Sequence, residues 1–183
     1  MAKVVKVKKR RDTFETNIRK GLVGVIADTT EISKVMPETN SLTYRGYAVQ
    51  DLAANCSFEE VAYLLLNDKL PNLKELNKFR RKERSLRNIT PAHAQVIAKF
   101  PKKAHPMDTI RTAVSYLGTS EEAWGDEETE VDKERAINML AKIPTMIATD
   151  FRYRTSKKRI MPRKDLTISE NFFHMCFGKV PPK

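Results

Sequence analysis

Apolar residues recur along most of this chain at the three-and-four spacing of helices with one buried face, in runs separated by turn signals. The clearest run is Ser57 to Asn67. There Phe58, Val61, Ala62, Leu64, Leu65 and Leu66 form a broad apolar face behind a capping box made by Ser57 and Glu60. After Pro71, Asn72 caps a second helix from Leu73 to Arg87. Its stripe narrows to Leu73, Leu76, Phe79 and Leu86, while Arg80, Arg81, Lys82, Arg84 and Arg87 cover the rest and are expected to be solvated. Thr90 caps a short helix that starts at Pro91 and turns Val96, Ile97 and Phe100 inward. Pro106 opens the next helix, with Met107, Ile110, Ala113, Val114 and Leu117 on one face and Gly118 as its stop. A long helix from about Val131 buries Ile137, Leu140, Ala141 and Met146, and Pro144 is expected to kink or divide it. Leu166 to Phe177 is a last amphipathic helix, closed by Gly178 ahead of Pro181 and Pro182.

Two stretches break the helical period. Lys20 to Met36 is rich in β-branched residues and bounded by Gly21 and Pro37, which predicts short strands in a small hairpin-like element. In Ser41 to Ala53, Leu42, Tyr44 and Tyr47 suit an extended segment, Gly46 permits a tight bend between the tyrosines, and Val49 to Ala53 begins a helix. Arg45, between the tyrosines, is read as a structural ion pair or stacking partner rather than a ligand-binding guanidinium. The fold class is therefore mainly α, with a short β-hairpin-like element near residues 20–45.

Composition adds a charge question. The chain has 183 residues, the length of about one domain, with 40% hydrophobic and 31% charged residues and a net charge of +11. Such an excess implies an acidic partner, or a cationic surface that is covered by one. Residues 1–19 read as a basic arm, mobile or ordered against a partner subunit, and the rest as one domain portion. There is no run of about 18 apolar residues and no apolar core of a secretory signal at the start, so a cytoplasmic location is expected. Basic Met1 to Arg11, with Val4, Val5 and Val7, leaves an organellar presequence open, and Asp12 and Glu15 count against it.

Candidate chemistry is sparse. Gly21 and Gly24 lack the ending of a phosphate-binding loop. Cys56 and Cys176 are far apart and read as reduced thiols. His174 and Cys176, two residues apart on a helix, do not share a face, so core packing is the expected use of both. His105 sits before a helical proline and is read as a cap rather than a catalytic imidazole. Glu121 to Glu130 reads as an acidic loop around Trp124. Phe151 to Lys164 interleaves aromatics with basic residues, the strongest nucleic-acid signal in the chain.

Thr39-Asn-Ser-Leu-Thr-Tyr-Arg-Gly-Tyr-Ala-Val-Gln-Asp-Leu-Ala-Ala, followed by Cys56-Ser-Phe-Glu-Glu-Val-Ala-Tyr-Leu-Leu-Leu-Asn-Asp-Lys-Leu-Pro, resembles the start of the citrate synthase family. The His105-Pro-Met-Asp helix with Arg111-Thr-Ala-Val-Ser and Leu117-Gly is a second match, and Asn171-Phe through Met175, Phe177-Gly and Pro181 a third. Lys20-Gly-Leu-Val-Gly-Val with Asp28-Thr-Thr resembles the 2-methylcitrate synthases most. The resemblance covers roughly residues 20–183 and implies the amino-terminal portion of a helical large domain.

The implied reaction removes a proton α to a thioester carbonyl, adds the enol to oxaloacetate and hydrolyses the coenzyme A thioester. It belongs to the tricarboxylic acid cycle or, with propionyl-coenzyme A, to the methylcitrate cycle. In the family its catalytic groups come from a His-Ala-Asp-His-Glu-like helix, a Gly-Pro-Leu-His-Gly-Gly loop, a Gly-His-Pro-Val-Tyr turn and a later aspartate. None of these stands before Lys183, and His93, His105 and His174 match none of them. No catalytic, cofactor-binding or metal-binding residue is therefore assigned. The chain is expected to be a synthase truncated before its catalytic motifs and small domain, with little or no activity alone. No prosthetic cofactor is expected, and oxaloacetate and an acyl-coenzyme A are substrates only of a complete enzyme. A homo-oligomer, or a pairing with a separate carboxy-terminal half, is the expected assembly. Two rival readings are a non-catalytic interaction or regulatory subunit of the same descent, and a basic helical nucleic-acid-binding protein.

Overall fold

The computed structural model describes residues 20–26, 28–39, 41–119 and 129–180. The basic arm at residues 1–19 and the acidic loop with Trp124 lie outside the described residues. The chain divides into two compact units, one ending at Glu31 and the other running from Ile32. In the first, Lys20–Leu22 is a short 3-10 turn with Gly21 at φ 67° and Leu22 at φ 59°. Positive φ at successive residues keeps this turn from being extended, and the first strand of the chain's described residues begins at Ser33 rather than near Lys20.

In the second unit a three-stranded antiparallel sheet comes first, with β1 Ser33–Met36, β2 Ser41–Tyr44 and β3 Tyr47–Ala48 in that order. Tyr44 pairs with Tyr47 across a two-residue turn. Arg45 and Gly46 have φ of 48° and 85°, the positive pair that lets a tight hairpin turn match the strand twist. Tyr44 also pairs with Ser33, which closes the sheet on its other side.

Seven helices follow among the described residues: α1 Val49–Asn55, α2 Phe58–Asn67, α3 Leu73–Leu86, α4 Pro91–Ala98, α5 Pro106–Gly118, α6 Thr129–Arg154 and α7 Ile168–Phe177. Their starts follow the expected chemistry. Ser57 with Glu60, Asn72 with Glu75 and Thr167 with Glu170 each form a complete capping box, and Thr90 caps α4 ahead of Pro91. The Ser57 hydroxyl and amide both donate to Glu60, which holds that carboxyl below its ordinary pKa. Each such cap contributes about 1 kcal/mol. Gly178 ends α7 at φ 75° in the left-handed conformation.

Helix α6 is the spine of this unit and packs against α3, α4, α5 and α7. On one side Ile89, Ile97, Ala113, Leu117 and Met146 make a buried cluster, and on another Ala148, Met175 and Cys176 make a second one flanked by Phe151 and Phe172. Burying side chains such as Ile97 or Met146 contributes about 1.5–3 kcal/mol each. Pro144 lies inside α6 and does not divide it. Met107 and Leu73, expected inward, lie in the first turns of α5 and α3 and are 63% and 73% exposed.

Candidate functional site

Helix α2 carries two apolar faces. On one, Leu64 is fully buried, Tyr63 meets Phe79 of α3 edge to face at 5.7 Å, and the 3% exposed Glu59 accepts a hydrogen bond from the Ile168 amide at the start of α7. The other face, Phe58, Val61, Ala62, Leu65 and Leu66, forms the floor of an open groove of about 560 Å³. Val49, Leu52 and Ala53 of α1 line one flank, Ala136 and Leu140 of α6 another, and Tyr44 and Cys56 complete it. Among the described residues no charged side chain lines this groove. Its titratable groups among the described residues are the Tyr44 phenol and the Cys56 thiol, and the rest of the lining is apolar, the character of a packing surface.

The three histidines sit on separate elements. His93 of α4 is 3% exposed, stacks edge to face on Tyr116 at 5.1 Å, and has its Nε2 buried without a hydrogen-bond partner. Burial lowers its pKa, the Lys142 and Arg159 charges add to that effect, and the Ala113 carbonyl opposes it. His105 is exposed, and its Nδ1 accepts a hydrogen bond from the Met107 amide at 3.2 Å, which is the cap that the sequence suggests. His174 lies in α7, where its backbone carbonyl accepts from the Gly178 amide. Cys176 is buried beside Met175, and burial raises its thiol pKa. Among the described residues no group of three or more His, Cys, Asp or Glu side chains could hold a metal ion.

The buried carboxylates are each committed to structure. Glu83 forms two 2.7 Å hydrogen bonds with Arg87, and both side chains are 2% exposed. Arg87 also donates to the carbonyls of Arg163 and Leu166, at 2.7 and 2.9 Å. This corrects the expectation that the basic face of α3 is solvated, since Arg87 ties α3 to the approach of α7. The pattern missed it because Glu83 and Arg87 have the i, i+4 spacing of any surface ion pair. Asp150 pairs with Arg154 at 2.6 Å, and Arg154 donates to Lys102 and Ala104 carbonyls and to Thr109.

Arg45 has the structural role expected of it, through a 2.5 Å ion pair with Asp68 and a hydrogen bond to the Leu65 carbonyl. In Phe151 to Lys164 the rings are used for packing. Phe151 stacks on Phe177 at 5.5 Å, and Tyr153 lies 5.5 Å beneath the Lys102 ammonium.

The family model described as "Citrate synthase, C-terminal domain" matches residues 21–183. The chain is 48% identical over 165 residues to a 2-methylcitrate synthase of Mycobacterium tuberculosis, covering 90% of this chain and 42% of that protein. It is 50% identical over 164 residues to a citrate synthase of Mycolicibacterium smegmatis, covering 90% of this chain and 44% of that one. The crystal structure of citrate synthase from Pyrobaculum aerophilum superposes with a TM-score of 0.85 at 31% identity, over 99% of this chain and 48% of that chain. The chain thus spans less than half the length of the relatives it matches. The helical order around α6, the capped helix starts and a family match over nearly every described residue lead to one conclusion: this chain belongs to the citrate synthase family.

Proposed function

We propose that this chain supplies the amino-terminal portion of the large domain of a 2-methylcitrate or citrate synthase. Condensation of propionyl- or acetyl-coenzyme A with oxaloacetate then needs a further portion carrying the catalytic groups. The observation that carries this reading is the 48% identity to a 2-methylcitrate synthase over 90% of this chain but only 42% of that protein. The chemistry of the described residues agrees with it. A carboxylate base and two imidazoles must converge on the substrates. Here Glu59, Glu83 and Asp150 are engaged with Ile168, Arg87 and Arg154, His93 is buried, and His105 caps a helix.

The coenzyme A thioester is a substrate in this reading, and no prosthetic group is involved. Among the described residues no helix is long and apolar enough to cross a membrane, and a cytoplasmic dimer or a pairing with a separate carboxy-terminal portion fits the family. The test is thiol release from acetyl- or propionyl-coenzyme A with oxaloacetate, with far-ultraviolet dichroism as a control for helix content. A helical chain that is inactive alone and active once joined by the remaining portion is the expected result. Turnover by the chain alone would overturn it, and His105 would be the first residue to replace. A helical chain that binds a complete synthase and alters its rate would instead favour a regulatory subunit.

A further inference from the structure

From the unpaired charge at the carboxy-terminal end of α6 we infer a binding surface: the lysines of the connections before α5 and after α6 hold the phosphate backbone of double-stranded nucleic acid without reading its sequence. Residues 99–111 and 150–165 carry eleven Lys and Arg against three acidic residues, all Asp. Each Asp is already paired, Asp108 with Arg111, Asp150 with Arg154 and Asp165 with Arg163. Most of the net charge of +11 is therefore concentrated in these two stretches. Three hydrogen-bonding side chains hold the connections side by side. Arg154 donates to the Lys102 and Ala104 carbonyls, Arg152 donates to the Lys158 carbonyl, and Lys102 donates to the Ser156 hydroxyl at 2.8 Å. Lys102, Lys103, Lys157 and Lys158 are thereby gathered, all exposed, and none meets a carboxylate among the described residues.

The acids outside the described residues do not cancel this charge. Residues 1–19 hold seven basic residues and two acidic ones. The acids between Thr119 and Thr129 are tethered at the far end of α5, about 20 Å from Pro106 at 1.5 Å per residue. The ten peptide steps from Thr119 must also return to Thr129, so they reach back less than about 18 Å. Three anionic partners compete for the surface. A protein interface needs apolar anchors, whereas the exposed side chains at 102–103 and 155–158 are only Lys, Ser and Thr. A single strand needs an open ring to stack on, whereas Tyr153 lies beneath the Lys102 ammonium at 5.5 Å. A duplex backbone asks only for cations and hydroxyls at its phosphates, and such contacts carry no sequence information.

The experiment is fluorescence anisotropy of a labelled DNA duplex of about 20 base pairs, titrated with this chain at several salt concentrations from about 50 mM upward. Far-ultraviolet dichroism checks the helix content of every variant. Four lysines on four phosphates give a slope of about −3.6 for log affinity against log salt. Lys102→Gln with Lys103→Gln, or Lys157→Gln with Lys158→Gln, is expected to halve that slope, and all four together to weaken binding at least about a hundredfold. Lys74→Gln with Lys78→Gln, on exposed positions of α3, is expected to change neither. A duplex of unrelated sequence should bind equally well. No binding at about 50 mM salt, or a four-lysine variant that binds as the wild type does, would overturn the proposal. Tighter binding of the matching single strand, or poly-glutamate that displaces the duplex as readily as unlabelled duplex does, would assign the surface to another partner and overturn it too. So would displacement by coenzyme A at concentrations at which ATP leaves the duplex bound, because the lysines would then serve the phosphates of the thioester.

Discussion

Glu83 and Arg87 stand one helical turn apart on α3, joined by two 2.7 Å hydrogen bonds with only 2% of either side chain exposed. A buried pair of this kind costs much of its attraction in desolvation, so its removal is asymmetric. Arg87→Met leaves a buried carboxylate uncompensated and the Arg163 and Leu166 carbonyls without their donor. It is expected to cost about 3–5 kcal/mol in urea unfolding. Glu83→Leu together with Arg87→Met removes both charges, and most of that loss is expected to be recovered. A double variant as unstable as the single one would show that the carbonyl bonds, and not the ion pair, carry the effect.

Arg154 does for α6 and α5 what Arg87 does for α3 and α7. Its guanidinium meets Asp150, the Lys102 and Ala104 carbonyls and Thr109 at once, a fork that a lysine cannot reproduce. Arg154→Lys is therefore expected to free the connection before α5. Trypsin cleavage after Lys102 or Lys103 should accelerate about tenfold under native conditions, since local opening there would cost roughly 1.4 kcal/mol less. Unchanged cleavage would mean that packing alone holds this connection.

Those two guanidiniums also mark the limit of what the sequence reveals. Helix existence, order and starts are legible because they depend on local chemistry: Ser57 and Glu60, Thr90 and Pro91, and Gly178 each act on their own helix. Arg87 and Arg154 act on carbonyls 76 to 79 and 50 to 52 residues away, and nothing in their immediate neighbours distinguishes them from the solvated Arg81. The strands expected from Lys20 begin only at Ser33, and Gly21, expected as a boundary of the extended stretch, is in a left-handed turn instead. The groove was legible only as excess: six apolar residues on α2 are more than one face needs, and only the fold shows which of them are left over.

His93 gives the second unit a pH response. Its folded pKa lies below the ordinary 6.5 because burial disfavours the imidazolium, with Lys142 and Arg159 adding to the effect. The unfolded chain therefore binds a proton before the folded chain does. Stability from this residue is complete above the unfolded value and is lost as pH falls from about 6.5 toward the lower folded value. His93→Leu is neutral throughout and should lose stability less steeply over that window, even if lost packing makes it weaker at neutral pH. Urea midpoints for both proteins at several pH values between about 5 and 7 measure this. Parallel profiles would mean that His93 titrates alike in the folded and unfolded chains.

The turn between Tyr44 and Tyr47 separates backbone from side-chain cost. Gly46 has φ 85°, and a β-carbon added there would meet nothing within 4 Å, so any penalty for Gly46→Ala is conformational. It is expected to cost about 1 kcal/mol, and Gly46→Asn less, because asparagine tolerates the left-handed region. Arg45, at φ 48°, already carries a similar strain, offset by its contacts with Asp68 and the Leu65 carbonyl. Asp68 is 68% exposed, which limits the ion pair to under about 1 kcal/mol. Arg45→Asn therefore exchanges side-chain contacts for an easier backbone, and Arg45→Ala loses the contacts without that gain. Thermal melts should rank wild type and Arg45→Asn within about 1 kcal/mol of one another and both above Arg45→Ala. If the two variants melt together, the turn is held by its strand pairing and the left-handed preference of residue 45 contributes nothing.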